Sequence, residues 1–325
     1  IFFEPDDTTF KYFMPAAQFL QYSNDLRVVR TANAGQQNAS QTSGVVVKNE
    51  DDYDNQTFDS DTNYIAKYPG SLGNTLKVIV VTNEIAFDDD SFEEYRRLFT
   101  TNPDYPGTTE YAASRGVQGD EMHIVVVDND GEITGTPGEV LEVFEGVSQA
   151  SDAKAADGSS NYYVDVLNRR SRYVWVGTED SQLSESGVST LNKDALSPVS
   201  DGFEYTTVDT PIVYEFSNGS NGSDDEPTVG EIQSAYDFFE DSESVDISLI
   251  IGPDTDSAND SALSNYIISI AENRKDAIAC VSPSVSRTAE STTVDIEGEV
   301  LTWAFDINSS SYGVLDSSAI YVYDK

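Results

Sequence analysis

Between Val229 and Ser286 the apolar positions fall into two alternating periods that together predict an α/β unit. Ile232, Ala235, Tyr236 and Phe239 follow the i, i+3, i+4, i+7 stripe of a helix. Thr228 with Glu231 three residues on has the spacing of a capping box, which fixes the helix start. Val245–Gly252 then reads as a strand that becomes wholly apolar towards its end, as buried parallel strands do. Ser257–Asn273 returns to helical period with Leu263, Tyr266, Ile267 and Ile270 on one face, and Asp276–Pro283 predicts a second buried strand. Helix, strand, helix, strand in this order implies parallel strands joined by a right-handed crossover. Their carboxyl ends then point to the edge where α/β enzymes place their sites.

At the amino end Asp6–Tyr22 carries a broad apolar face that predicts a helix, interrupted by Pro15. Asp25–Ala32 predicts a short strand, which needs a partner sheet to bury its apolar positions. The expectation is that it joins the sheet of the Val229–Ser286 unit, so that both ends of the chain make one domain. The fold class is therefore α/β plus α+β: an α/β sandwich from residues 1–35 and 226–325, with a β-rich domain, 36–225, inserted. Within the insert, strands are expected at Val45–Val47, Leu76–Thr82, Glu121–Asp128, Gly131–Thr134, Tyr162–Leu167 and Tyr173–Gly177. Helices are expected at Ser91–Thr100 and at Pro137–Val147, the latter on Val140, Leu141 and Phe144. Asn129–Gly131 is the signal of a type I′ hairpin turn. The polar stretch Gly35–Asp61 reads as the connection in, and Ser217–Pro227 as a flexible acidic linker out. Beyond Ser286 come Thr292–Glu297, a loop, and a last strand at Ala319–Lys325. Neither end of the chain carries a start or stop signal, so the natural protein is expected to extend further.

Composition changes this picture in one respect. The 325 residues include 58 acidic and 18 basic side chains, a net charge of −40. Such a surface repels nucleic acid and anionic membranes, and it repels copies of itself until salt screens it. With 38% hydrophobic residues the chain is nonetheless a folding sequence rather than an acidic tail. The single cysteine, Cys280, excludes intrachain disulfides and cysteine-based zinc sites, and its apolar neighbours predict a core residue. No apolar run approaches the ~18–20 residues of a membrane-spanning helix.

Candidate chemistry is sparse. His123, the only histidine, precedes a Val/Ile run and reads as a satisfied or surface side chain; no Gly-x-Ser-x-Gly elbow accompanies it. Asp128, Asp130 and Glu132 alternate like the start of a calcium loop, but the glycines fall at the wrong positions and the hairpin reading wins. Asp254, Asp256 and Asp260 lie at the carboxyl end of the Val245 strand, where they could hold a metal or cap the next helix; capping is favoured. Nucleotide-binding and zinc-protease motifs are absent. The pairs Arg96–Arg97 and Arg169–Arg170 are too isolated for a nucleic-acid patch and read as anchors for an acidic neighbour. No catalytic, cofactor-binding or metal-binding residue is assigned. Two structured domains with heavy charge and no evident site suggest assembly rather than catalysis.

Several segments resemble the contractile tail sheath proteins of T-even-like myoviruses, in the same order along the chain. They are Tyr12-Phe-Met-Pro-Ala-Ala-Gln-Phe-Leu-Gln-Tyr-Ser-Asn-Asp-Leu-Arg-Val-Val-Arg30, Tyr68-Pro-Gly-Ser-Leu-Gly-Asn74, Ala235-Tyr-Asp-Phe-Phe-Glu-Asp-Ser-Glu-Ser-Val-Asp-Ile247, Ser269-Ile-Ala-Glu-Asn-Arg-Lys-Asp276 with Cys280-Val-Ser-Pro283, and the stretches Ser309–Gly313 and Tyr321–Lys325. The region Phe87–Phe216 matches only at scattered positions. Two features depart from the family. Thr31–Asn63 is too short for the extra outer β-domain of some members, and the family's terminal tube-facing domain and linking arms fall outside residues 1–325. The resemblance implies a structural subunit, not an enzyme and without cofactors. Such subunits polymerise in sixfold rings into a helical sheath around the tail tube protein, between baseplate and tail terminator proteins. They are assembled in the bacterial host cytoplasm, and in the virion contraction drives the tube through the host envelope for genome ejection. Neither direct nucleic-acid binding nor membrane insertion is implied. From the residues alone two other readings stay open: an acidic S-layer or cell-surface module, and an α/β metal-dependent hydrolase using the Asp254 edge.

Overall fold

A computed structural model describes residues 10–31, 33, 35–100, 104–179, 182–183, 203–222, 227–289, 291 and 295–317. The chain divides into two compact units, a terminal one from 1–33 with 225–325 and a central one from 34–224.

The chain begins with helix α1, Phe10–Phe19, which keeps Pro15 inside it. The following Asp25–Thr31 stretch forms no strand and pairs with none of the described sheets, contrary to expectation. The central unit is entered at β1, Gln36–Gln37. The expected strand at Val45–Val47 is also not formed; instead the buried Asn38 side chain accepts from the Val47 N–H at 2.7 Å and donates to the Val47 and Ala66 carbonyls. One amide thus supplies what a neighbouring strand otherwise would. Helix α2, Glu50–Asp54, follows, and β2, Tyr64–Ala66.

The centre of this unit is an antiparallel sheet of β3 (Leu76–Val81), β4 (Glu121–Asp128), β5 (Glu139–Ser148) and β7 (Ile212–Glu215), in the order β5-β4-β3-β7. Alternation sends Val78, Val80, Ile124 and Val126 into one core and Ile79, Val81, Val125 and Val127 into another. The first core is completed by α3, Tyr163–Arg170, and β6, Val174–Val176. The second is completed by the aromatic cluster Phe87, Phe92, Tyr95 and Phe99. Two faces covered in this way explain the unbroken Val/Ile runs.

Four sequence expectations fail here. Pro137–Val147 is strand β5 rather than a helix, and Tyr162–Leu167 belongs to helix α3 rather than a strand. The loop 129–138 is not a tight hairpin turn, and Gly131–Thr134 forms no strand. It is wound around the buried Asp128 carboxylate, which accepts from the N–H groups of Gly131, Ile133 and Thr134 and from the hydroxyls of Thr75 and Thr134.

The exit is likewise not a free linker as far as Gly222. Ser217 bridges to Ser40, and β8, Ser220–Asn221, pairs antiparallel with β1. Residues 223–226 lie outside the described residues.

The returning chain forms α4 (Val229–Tyr236), with both capping-box hydrogen bonds of Thr228 and Glu231 in place. Then come β9 (Leu249–Ile251), α5 (Asp260–Arg274), β10 (Ile278–Val281), α6 (Ile296–Asp306) and β11 (Gly313–Leu315). The loop expected after Glu297 is thus helix α6, and the strand expected at Ala319–Lys325 falls outside the described residues. β9, β10 and β11 form a parallel sheet in sequence order. Ile250, Ala279 and Val281 pack with Leu263, Ile267, Ile268 and Ala271 of α5, Ile232 of α4 and Trp303 of α6. The class is mixed α/β.

Candidate interaction surface

The parallel sheet of the terminal unit buries one face only. Strand alternation places Leu249 and Ile251 of β9, Ile278 and Cys280 of β10 and Val314 of β11 on the other face. Leu249, Ile251, Ile278 and Val314 remain 49%, 42%, 43% and 50% exposed. Cys280 is half-buried on this face, so the expected fully buried core residue is corrected. Val245–Gly252 and Asp276–Pro283 are apolar on both faces, yet among the described residues helices cover one. A cleft of about 880 Å³ runs along β9, bounded by Phe19, Leu26, Val29 and Ile247. On the helix-covered side, α6 turns Trp303 inward and leaves Leu301 46% and Phe305 84% exposed. Apolar side chains grouped on an exposed sheet face mark contact with another body.

The carboxyl end of the sheet is occupied differently. Asp260, buried at the start of α5, accepts from Ser284 N–H at 3.1 Å and from Arg287 Nε at 2.8 Å. Arg287 continues to Glu299 on α6 at 2.9 Å and to the Ser257 carbonyl. Its hydrogen bond with Asp260, outweighing burial, holds the guanidinium above its ordinary pKa. Asp254 accepts from Val285 N–H at 3.0 Å. Asp256 accepts from the Ala258 N–H and the Asn259 side-chain amide, which together hold it below the usual carboxylate range despite desolvation. The helix cap itself is Asn259, without a side-chain cap bond. The three acids singled out for capping therefore mostly tie the 284–288 turn and the approach to α5. Among the described residues no group of three or more His, Cys, Asp or Glu side chains is placed to hold a metal ion.

In the central unit His123 is 1% exposed and stacks on Phe99 at 4.5 Å. Its Nδ1 accepts from Gly146 N–H and its Nε2 bonds the Asp104 carbonyl, both at 3.0 Å. Both ring nitrogens are thus engaged in the core. Gly146, whose N–H makes the contact to His123, has φ +67°, a conformation that favours glycine. Asp128 sits in its ring of donors, whose hydrogen bonds outweigh desolvation and hold it below the usual carboxylate range. Asp130 and Glu132 contribute no carboxylate to that ring. Arg96 donates to the carbonyls of Phe87, Asp88 and Asp89, an internal role that the sequence did not suggest.

The chain is 24% identical over 284 residues to the tail sheath protein of Enterobacteria phage T4, a match that covers 80% of this chain and 36% of that protein. It is 30% identical over 173 residues to the tail sheath protein of Salmonella phage ViI, covering 50% and 24%. Both of these relatives are phage tail sheath proteins. The chain spans roughly a quarter to a third of the length of these sheath relatives. No family model matches it. A solved sheath tail protein from Listeria innocua aligns with 92% of this chain and 59% of its own, at 12% identity and a TM-score of 0.31.

Proposed function

We propose that this chain is part of a structural subunit of a phage contractile tail sheath. The observation that carries the reading is the similarity to the phage T4 sheath protein over 80% of the chain. In this reading residues 1–33 with 225–325 form the core sheath domain, and 34–224 form the outer domain. The subunits close into sixfold rings around a tube and rotate into a tighter packing when triggered at the baseplate. The work comes from the difference between two sets of contacts made by nearly rigid bodies, with no nucleotide consumed. The half-exposed sheet face supports this reading, because a neighbouring subunit packed on Leu249, Ile251, Ile278 and Val314 completes an α/β sandwich in the assembly. Electron microscopy of the full-length protein tests it. Hollow tubes with sixfold rings are expected; monodisperse single particles or flat two-dimensional arrays overturn it.

A further inference from the structure

Several cationic side chains of this acidic protein are spent internally. Arg274 and Arg287 are ion-paired, Arg96 caps backbone carbonyls, Arg115 lies over the Tyr111 ring, and Lys67 lies over Trp175. Arg169, Arg170 and Arg172 instead cluster on one short segment, Arg170 with its guanidinium 6.0 Å from the Phe144 ring centroid. All three are exposed, and no ion pair holds any of them among the described residues.

Arginines in the last turn of a helix ordinarily serve its negative end. At the end of α3 that role is already filled. Lys67 Nζ donates to the Asn168 and Ser171 carbonyls, both at 3.0 Å. The neighbouring carboxylate is also taken: Glu142 accepts from the Ser171 hydroxyl at 2.6 Å and from the Arg172 backbone N–H at 2.8 Å. Asp157 accepts from the Ser159 hydroxyl and N–H, and the nearby Arg169 charge adds to the lowering of its pKa. Three exposed arginines thus stand on one short segment of a chain in which acids outnumber bases 58 to 18.

We propose that Arg169, Arg170 and Arg172 form a docking point for the carboxylate-rich surface of a second copy of this chain. The inference rests on the self-assembly implied by the sheath reading and names a place where it occurs. Copies with a net charge of −40 repel each other at long range. A local cluster of bidentate donors fixes where and in what register contact nevertheless forms. Arginine suits the role because its fork matches carboxylates and stays charged at any working pH.

The test uses the full-length protein. The triple variant R169E/R170E/R172E is expected to raise the protein concentration needed for tube formation about tenfold or more, with unchanged thermal melting of the unassembled chain. The triple variant R169K/R170K/R172K, which keeps the charge but loses the bidentate fork, is expected to assemble more weakly than wild type and better than the glutamate variant. It also places amines where a zero-length carbodiimide joins them to carboxylates. In a mixture of ¹⁴N- and ¹⁵N-labelled protein, cross-links pairing the two isotopes are expected at these positions. Wild-type assembly by the glutamate variant, or cross-links confined to single copies, overturns the proposal even where wild-type tubes form. Should the glutamate variant fail to fold, the isotope pairing of the lysine variant decides alone. A wild-type protein that stays monomeric at every concentration overturns this proposal and the sheath reading together.

Discussion

The two units solve the same problem, an apolar sheet, in opposite ways. In the central unit β3 and β4 bury both faces, one against α3 and β6, the other against the aromatic cluster around Phe92. In the terminal unit β9, β10 and β11 have helices on one face only. The difference shows on the surface. Among the described residues the central unit exposes Tyr68, Ile85 and Val213 as large apolar side chains, whereas all the others belong to the terminal unit. A sheet finished on both sides folds for its own sake, and a sheet finished on one side is built for contact.

Core truncation should separate the two most strongly. Ile124→Ala, at 0% exposure in β4, is expected to cost about 3–4 kcal/mol in urea unfolding of the central unit. Ile251→Ala on the open face should cost less than about 1 kcal/mol in the unassembled chain while weakening tube formation. Equal costs at the two positions would abolish the contrast. Next comes Arg274, whose side chain is 0% exposed and ties Asp276 at 2.9 Å to the Phe239 and Val245 carbonyls at 2.7 and 2.8 Å. Arg274→Ala is expected to lose about 3 kcal/mol in the terminal unit and to leave the central unit's melting unchanged.

Asp128 provides a smaller, pH-dependent probe of the central unit. Its folded pKa is lowered, so its stabilisation is complete above the ordinary carboxylate value and fades as pH falls through the lowered one. Asp128→Asn should cost about 2 kcal/mol near neutral pH, and the gap to wild type should close in acid. A gap of constant size from pH 7 to pH 2 would remove the carboxylate from its central place in the 129–138 loop. The smallest effect expected is a gain. Lys275 ends α5 at φ +65°, and Lys275→Gly should raise terminal-unit stability by about 0.5–1 kcal/mol in thermal melting.

What the sequence disclosed follows from how local each signal is. The capping box at Thr228 and Glu231 and the Val/Ile runs of β3 and β4 were legible because neighbours in sequence specify them. β5 was misread for a physical reason. Its pairing with β4 shifts register between Met122 and Ile124 and again between Val126 and Val127. These bulges insert extra residues, so that Leu141, Phe144 and Val147 reach one core at a spacing of three. A doubly bulged strand therefore counterfeits a helical stripe. In α3 the error ran the other way: Tyr162, Tyr163 and Val164 favour strands, while Tyr163, Val166 and Leu167 carry the helical spacing that tertiary packing chose. At the Asp254 edge the sequence showed the acids but not the Arg287 partner that engages Asp260, since that pairing spans 27 residues. The open sheet face was invisible, because exposure depends on which elements arrive to cover a strand.

The pairing of β1 with β8 has a consequence for engineering. Gln36 stands opposite Asn221 and Gln37 opposite Ser220, so the chain enters and leaves the central unit through adjacent strands about 4.8 Å apart. Side chains close the same gate: Asn74 both donates to the Gly219 carbonyl and accepts from its N–H. The segment therefore has the anatomy of a removable cassette. A two- or three-residue turn can replace it without stretching the backbone left behind, and a foreign domain whose ends lie equally close can be grafted in its place.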